Sequence, residues 1–283
     1  MMRQTAEFIG ENAYCALLEE VYTTPKPGLV DLCSNGAHKD MDVGTFERSA
    51  RALRPFFTAM ADQGFERSCS PEELFGEIRK TGMEAEKAMY RATGGVNTHK
   101  GLIFTLGIFC AAAGRCMREA GKADPAGIID MQQKMTHRIL SGELARMKSE
   151  GSLSHGEKNF QKYGTSGIRG EAILGYPSVM NLALPVMMEG LKEGRQWNQI
   201  KLQTLLALMS SMEDSNIIAR HDPSVLEQVH REAKAFLEMG GAYRREAFEE
   251  LIAMDQDYIR RNISPGGCAD LLAAAVFMIL TGR

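Results

Sequence analysis

The sequence predicts an all-α protein that forms one large helical domain over residues 1–283. Apolar residues recur at spacings of three and four along most of the chain, as at Leu202, Leu205 and Leu206, which is the period of an amphipathic helix. Alternating β-branched runs bounded by turn residues are missing, so no sheet is predicted. Eighteen methionines and many alanines favour close helix packing.

In the first half of the chain, helix starts follow from capping residues and from the ends of polar segments. Ser70 and Asp124 each precede a proline, and a cap followed by proline at the first helical position predicts a helix start. The glycine-rich stretch GGVNTHKG precedes a strongly apolar run. The predicted helices of this half are residues 4–22, 44–64, 71–92, 98–120 and 125–147.

The second half follows the same logic. Asp222 before Pro223 predicts another capped helix start. The polar segments EDSNIIARHD and SPGGCAD separate apolar runs that have the helical period. The predicted helices of this half are residues 178–193, 198–212, 223–239, 243–262 and 267–282.

Composition and charge exclude several classes of protein. A net charge of −3 offers no basic surface for nucleic acid or an anionic membrane. Six cysteines without a CxxC pair predict buried thiols of a reduced compartment. The N-terminal residues carry acids where a signal peptide needs an apolar centre. The most apolar stretch, residues 268–281, is shorter than the roughly 20 residues that span a bilayer. The sequence therefore predicts a soluble, cytoplasmic protein.

The interruptions of the helical pattern carry the polar chemistry. Five segments combine glycine or proline with charged residues: 23–44, 94–101, 151–177, 213–222 and 264–270. Residues 151–177 form a long glycine-rich connection, which predicts a mobile lid. The cationic or donor side chains of the five segments are Lys26, His38, Lys39, His99, Lys100 and Arg169, and the carboxylates are Asp31, Asp40, Asp42, Glu171, Glu213, Asp214 and Asp270.

Two glycine-rich turns lie directly before predicted helices. Gly94 and Gly95 lead to Thr98, His99 and Lys100, and Pro265-Gly266-Gly267 precedes the last helix. Glycines at a helix start let backbone N–H groups point at an anion, which the helix dipole also favours. Combined with carboxylates, such turns suggest a polyphosphate with Mg²⁺. Neither a Walker sequence nor GxGxxG is present.

Each of these features also has a purely structural explanation. Asp40 and Asp42 suit capping of the helix that begins near Gly44, and Glu213-Asp214-Ser215-Asn216 suits a helix end followed by an Asx turn. The residues alone therefore leave both explanations open.

Five stretches together resemble one family, the triphosphoribosyl-dephospho-CoA synthases, which prepare the prosthetic group of citrate lyase and malonate decarboxylase. The stretches are PKPGLVDLCSNGAHKDMD, GGVNTHKGLIFTLG, GIRGEAILGYPSV, EDSNIIARHD and SPGGCADLLA, in family order between residues 25 and 274. The resemblance implies an all-α enzyme in which the ribose 2′-hydroxyl of 3′-dephospho-CoA attacks C1 of the ATP ribose. Adenine leaves, and the 5-triphosphoribosyl group is transferred with its triphosphate intact. Here His221-Asp222-Pro223 follows EDSNIIAR, and Cys268 stands where the family pattern has serine.

The implied chemistry assigns expected roles. Departure of adenine builds oxocarbenium character at C1, which a carboxylate stabilises, and the attacking hydroxyl needs a base. Glu171 and Asp31 are the candidates for these two catalytic roles. Asp40, Asp42, Glu213 and Asp214 are candidate ligands for the Mg²⁺ expected with ATP. The expected substrate-binding residues are Lys26, Asn97, Thr98, His99, Lys100, Arg169, Asn216, Gly266, Gly267 and Asp270.

The expected partners are ATP and 3′-dephospho-CoA, with the product passing to an acyl-carrier-protein transferase; a homo-oligomer is left open. Two rival hypotheses belong to other classes. An HD-type metal-dependent phosphohydrolase would use His221-Asp222 with His99 or His137 and with Asp257 or Asp270. A non-catalytic helical nucleotide-binding protein would present its charged loops separately to solvent. Transfer to a different acceptor also remains open.

Overall fold

The computed structural model describes residues 2–66, 68–147 and 167–282, and these ranges contain twelve α-helices and no strand, which confirms the all-α prediction. A π-helical turn, Val179–Ala183, directly precedes α7, and a 3₁₀ turn, Gly241–Tyr243, lies before α11. The helices are α1 Met2–Val21, α2 Val43–Glu66, α3 Pro71–Ala92, α4 Lys100–Ala120, α5 Pro125–Met147, α6 Gly167–Leu174, α7 Leu184–Lys192, α8 Trp197–Met209, α9 Ser215–Arg220, α10 Pro223–Glu238, α11 Ala247–Arg261 and α12 Gly266–Thr281.

The capping signals of the sequence set the helix starts where they were expected. The side chain of Ser70 accepts a hydrogen bond from the backbone N–H of Glu73, whose carboxylate accepts one from the N–H of Ser70, so α3 begins with a capping box. Asp222 accepts from the N–H of Ser224 at 3.0 Å and caps α10. The predictions of helix starts at these two positions are confirmed.

Two short helices correct the sequence-based boundaries. α6 and α9 lie in segments predicted as loops. α9 forms because Asp214 is its N-cap and accepts from the N–H of Asn216 at 2.8 Å, rather than ending the preceding helix. α6 packs on α5, with Gly170 and Ala172 buried. The predicted lid spans residues 151–177, and residues 151–166 of it lie outside the described residues.

Helix α4 forms the centre of the core, and α1, α2, α3, α5 and α12 pack around it. Its length and apolar composition would allow it to cross a membrane, but 78% of its most apolar window is buried inside the fold. A helix that is apolar on all sides is typical of the interior of a large domain. The packing of α4 in the core therefore fixes the position of its N-terminus, where His99 and Lys100 lie.

The crossing of α2 and α4 depends on glycine at both helices. A Cβ on Gly64 would lie 2.0 Å from the carbonyl oxygen of Ala111, and a Cβ on Gly114 would lie 2.1 Å from that of Ala61. The obstructing atoms belong to the backbone, so they cannot turn aside as a side chain would. Glycine therefore sets the distance between these two helices.

We expect Gly114→Ala to lower the free energy of unfolding by about 1–3 kcal/mol, because the added methyl group forces α2 and α4 apart. Gly76→Ala is the matched control: it lies on α3, and its Cβ would meet nothing within 4 Å. That substitution should be neutral or stabilising by up to about 1 kcal/mol, since alanine is the better helix former. Urea unfolding measures both, and equal stability of the two variants would contradict the close crossing.

Candidate active site

A polar cavity of about 410 Å³ opens where several of the predicted segments meet. Its walls come from the loop after α1, the turn before α4 with the first turn of α4, and the start of α12. One residue each from α1 and α2, and two each from α9 and the turn before α12, complete the lining. The predicted site residues that line it are Asp40, Asn97, Thr98, His99, Lys100, Asn216, Gly266 and Asp270. The same cavity is lined by Glu20, His38, Lys39, Gly101, Arg220, Asn262 and Ser264.

The N-termini of α4 and α12 both contribute to this cavity. α4 begins at Lys100 and α12 begins at Gly266, and the first residues of both line the cavity wall. The partial positive charge at a helix N-terminus favours an anion, and two such ends reinforce each other. The two helix starts approach closely because residue 101 is glycine: a Cβ there would lie 2.2 Å from Oδ2 of Asp270.

Two carboxylates face the cavity. Asp270 extends from the first turn of α12, and Glu20 from the last turn of α1. Burial raises the pKa of Asp270 well above its ordinary value, and the nearby carboxylates of Glu20 and Asp214 raise it further. The carboxylate of Glu20 forms an ion pair with Lys26, whose ammonium also donates to the Glu20 carbonyl at 2.7 Å. The cavity therefore holds one carboxyl group that favours its proton and one that is paired with a cation.

His99 is fixed by a chain of hydroxyl groups. Thr98 donates to Oγ of Ser49 at 2.7 Å, and Oγ of Ser49 lies 2.7 Å from Nδ1 of His99. A Ser49 hydroxyl that accepts from Thr98 can donate its own proton to Nδ1, and in that tautomer the ring proton lies on Nε2. Nε2 is buried and has no hydrogen-bond partner among the described residues. The side chain lines the cavity, so Nε2–H is available to a ligand there.

The environment keeps the imidazole of His99 neutral. Burial, followed by the charge of the Lys26 ammonium, lowers its pKa to about 3. The side chain is 1% exposed, and the ring of Phe46 meets it edge-on with 5.0 Å between ring centroids. His99 therefore supplies a neutral hydrogen-bond donor and not a positive charge.

Arg220 and His38 join the loop after α1 to the C-terminal helices. Nη1 of Arg220 donates to the Ala37 carbonyl at 3.3 Å, and Nε2 of His38 lies 3.0 Å from Oγ of Ser264. Burial lowers the pKa of His38, and the charge of Arg220 lowers it further. These contacts hold Lys39 and Asp40, both exposed, at the rim of the cavity.

The two predicted catalytic carboxylates do not line the polar cavity. Asp31 accepts hydrogen bonds from the backbone N–H groups of Lys26, Cys33 and Ser34 at 2.6–2.9 Å and so shapes the loop after α1. Glu171 accepts from the hydroxyl of Ser178 at 2.6 Å and from its backbone N–H at 3.2 Å. Neighbouring donors therefore satisfy the oxygens of both carboxylates.

The four predicted metal ligands are dispersed. Asp40 lines the cavity, whereas Asp42 accepts from the N–H and hydroxyl of Thr45 at 2.7 Å each at the start of α2. Asp214 accepts from the N–H of Cys268 at 2.9 Å as well as capping α9, and Glu213 is exposed. In the described ranges, no three His, Cys, Asp or Glu side chains are grouped to hold a metal ion. This part of the protein does not gather the four residues into one metal site.

Three further predicted binding residues lie beside the cavity. Lys26 is 1% exposed and stands behind Glu20, and the backbone of Gly267 packs against Asp214, 3.1 Å from where its Cβ would be. Arg169, on α6, lines a neighbouring cleft that also includes Lys100. These placements leave the predicted roles of the three residues as predictions.

The sequence analysis missed Glu20, Ser49 and Arg220. Glu20 and Ser49 lie inside long predicted helices, where an acid or a serine is ordinarily part of the solvated face. Arg220 belongs to a quoted segment, but nothing in its spacing distinguished it from a surface arginine. A buried lysine needs a partner, so the burial of Lys26, once known, points to Glu20 six residues before it.

Over the described residues the fold is all-helical, and two helix starts and several basic side chains surround one cavity. This arrangement is typical of a helical protein that binds a small anionic ligand. Comparison with protein families makes this specific. Residues 6–283 match the family described as CitG, ATP:dephospho-CoA triphosphoribosyl transferase, and the chain belongs to that family. The chain is therefore a transferase, and its substrates are ATP and dephospho-CoA.

Curated relatives are similar to this chain along most of their length. A Vibrio cholerae protein named "Probable 2-(5''-triphosphoribosyl)-3'-dephosphocoenzyme-A synthase" is 40% identical over 267 residues, which are 94% of this chain and 85% of the relative. A Klebsiella pneumoniae protein named "2-(5''-triphosphoribosyl)-3'-dephosphocoenzyme-A synthase" is 39% identical over 264 residues, which are 93% of this chain and 87% of the relative. The search of solved structures finds no match.

The raised pKa of Asp270 predicts how stability depends on pH. Below about pH 3.9, the ordinary aspartate value, the carboxyl is protonated in the folded and unfolded chains alike. As the pH rises, the unfolded chain ionises first, so the wild-type protein loses stability until the raised folded pKa is passed. We expect Asp270→Asn to escape this loss and to have a higher Tm than wild type at pH 7.

Thermal unfolding over a pH series measures the difference. The gap in Tm between Asp270→Asn and wild type should shrink towards low pH and be largest near neutrality. A gap that grows as the pH falls would mean that the folded protein lowers the pKa of this carboxyl instead.

Proposed function

We propose that the polar cavity binds the triphosphate and ribose of ATP, and that transfer of the 5-triphosphoribosyl group to the 2′-hydroxyl of dephospho-CoA takes place there. The observation that carries the proposal is the position of Asp270 and Glu20 beside two helix N-termini in one cavity. A glycosyl transfer from ATP needs both features at once, because the carboxylates serve the ribose carbon and the helix starts hold the phosphates.

The triphosphate is held by the start of α4 and by the cations around it. Lys100 lines the cavity, and its hydrogen bond with Glu86, at 2.6 Å, orients the ammonium and raises its pKa. His99 adds a neutral donor through Nε2, and Lys39 and Arg220, which also line the cavity, add positive charge. A neutral imidazole suits this reaction. The phosphoanhydride bonds stay intact, so no acid is needed to protonate a leaving phosphate, and His99 has only to donate a hydrogen bond.

The carboxylates of Glu20 and Asp270 have different roles at the ribose. As the bond from C1 to adenine breaks, its electron pair leaves with the adenine nitrogen and positive charge develops at C1. Glu20 carries negative charge next to that position and stabilises it. The oxygen of the acceptor's 2′-hydroxyl forms the new bond to C1, and Asp270 in its ionised form accepts the proton of that hydroxyl. The departing adenine takes one proton from water, and Asp270 returns its proton to water, so no proton is gained or lost overall.

The raised pKa of Asp270 supports its role as base. A carboxylate in water is too weak a base for a sugar hydroxyl, and a base works best when its pKa lies near the working pH. Burial beside Glu20 and Asp214 shifts Asp270 in that direction. Glu20 differs from Asp270 in having an ammonium group, that of Lys26, as its ion-pair partner.

Mg²⁺ is proposed as the companion of ATP. The exposed carboxylate of Asp40 at the cavity rim fits this, since Mg²⁺ usually takes one or two carboxylates together with substrate phosphates and water. When bound, the ion would neutralise part of the triphosphate charge. The absence of a larger acidic cluster among the described residues is compatible with such a substrate-borne ion.

The wider setting follows from the same proposal. We place the reaction in the cytoplasm, where both nucleotides are made, and we propose that the product serves as prosthetic-group precursor for citrate lyase or malonate decarboxylase. An acyl-carrier-protein transferase would then consume it.

The overall reaction is tested by incubating the protein with ATP, Mg²⁺ and dephospho-CoA. We expect free adenine in equal amount to a product that is heavier than dephospho-CoA by one triphosphoribosyl unit, as measured by chromatography and mass spectrometry. ADP or inorganic phosphate as the main product would instead favour the metal-dependent phosphohydrolase and contradict the transfer.

Phosphate recognition by Lys100 is tested by Lys100→Ala. We expect ATP to bind roughly tenfold or more weakly, because a hydrogen bond to a charged group is lost, while adenosine binding stays within about twofold of wild type. Lys87→Ala is the control, since Lys87 is an exposed lysine paired with Glu84 and lines neither cavity. Isothermal titration gives both affinities, and an equal loss for ATP and adenosine would remove Lys100 from phosphate binding.

A further inference from the structure

A second, largely apolar cleft of about 570 Å³ lies beside the polar cavity. Its walls come from α3, α4 and the start of α6. Lys100 and Gly101 line both spaces, so the cleft and the cavity meet at the first turn of α4. The apolar side chains that line the cleft include Phe75, Ile78, Met83, Ile103, Phe104 and Ile168.

The charge in the cleft is uneven. Lys100 and Arg169 both line it and interact electrostatically with each other, which places two cations near the shared end. Glu86, which pairs with Lys100, lies at the same end, so this end carries two cations and one carboxylate. Arg79 is paired with Glu143, and the rest of the wall is uncharged. A ligand that suits this arrangement has an anionic group at one end and an uncharged, partly apolar chain beyond it.

The number of substrates requires a second space. Ligand sites usually measure about 300–1,000 Å³, and the polar cavity is at the low end of that range, enough for about one nucleotide. The reaction uses two nucleotides, which have to meet at C1 of the ATP ribose. Dephospho-CoA consists of adenosine, a diphosphate and a long uncharged arm with a dimethyl carbon, two amides and a thiol. This uncharged arm matches the apolar lining of the cleft and does not match the polar lining of the cavity.

We infer that the apolar cleft binds the pantetheine arm of dephospho-CoA, with the diphosphate at the end that Lys100 and Arg169 share. The inference rests on the proposed function and adds a binding site for the acceptor. The acceptor adenosine then extends through the junction at Gly101 towards Asp270, which brings its 2′-hydroxyl to the base. The donor ATP occupies the polar cavity from the other side.

Gly82 on α3 offers a way to fill the cleft. A Cβ there would lie 3.8 Å from Cε of Met60 and 3.9 Å from Cγ2 of Ile103, which is ordinary contact. Gly82→Leu therefore adds bulk to the space without a backbone clash and replaces glycine inside a helix. Gly76→Leu is the matched control, because it lies on the exposed side of the same helix and its Cβ would meet nothing within 4 Å.

We expect Gly82→Leu to raise the KM for dephospho-CoA about tenfold or more and to leave the KM for ATP within about twofold. ADP lacks the arm, so its inhibition constant against dephospho-CoA, measured at saturating ATP, should also stay within about twofold. Gly76→Leu should match wild type in all three. Gly82→Ala adds only one methyl group and should raise the KM for dephospho-CoA less than Gly82→Leu does.

Three results would overturn the inference. An unchanged KM for dephospho-CoA would mean that the arm binds elsewhere. An equal weakening of dephospho-CoA and ADP would place the nucleotide part in the cleft, and an increase confined to the KM for ATP would place the donor there. Wild-type protein that releases no adenine would overturn the proposed function itself, which the adenine assay separates from these outcomes.

Discussion

The contact between Asp270 and Gly101 is the constraint on which the site depends. Oδ2 of Asp270 occupies the position where any side chain at residue 101 would place its Cβ, so the starts of α12 and α4 can meet only around a glycine. α4 is held in turn by its close crossing with α2, and Asp214 ties the start of α12 to the start of α9. The buried helices thereby set the position of a carboxyl group within a cavity that favours anions. This geometry brings a carboxyl group and two helix N-termini into one small space, as the proposed transfer requires.

The site retains polar groups at a cost to stability. Burying a carboxyl group, an imidazole or an ion pair loses hydration that neighbouring groups restore only in part. Asp270 responds by holding its proton more tightly, His99 by staying neutral, and Lys26 by pairing with Glu20. Apolar side chains at these positions would pack without such penalties. Buried charges occur elsewhere in the fold, as at Arg115, Lys201 and Asp255, so it is the grouping of these residues beside one cavity that favours a catalytic role.

The sequence predicted the helices well because their signals are local: the apolar period, Ser70 and Asp222 as caps, and glycines at the breaks. It also identified the segments that meet at the cavity, since GGVNTHKG and SPGGCAD begin α4 and α12. It could not rank the carboxylates. Asp31 and Glu171 stand in polar segments yet bind neighbouring backbone and hydroxyl donors, whereas Glu20 stands in a regular helix and faces the cavity. Which way a carboxylate faces is decided by contacts between distant helices, and these have no local signal.

The most direct measurement of the central claim is a crystal structure with a carbocyclic ATP analogue, whose bond to adenine cannot be broken in the same way, together with dephospho-CoA. The account predicts phosphate density at the start of α4 beside Lys100 and His99, with the ribose-like ring within reach of Glu20 and the acceptor's 2′-hydroxyl within hydrogen-bonding distance of Asp270. Both nucleotides bound away from Asp270, with the polar cavity filled by neither, would contradict it.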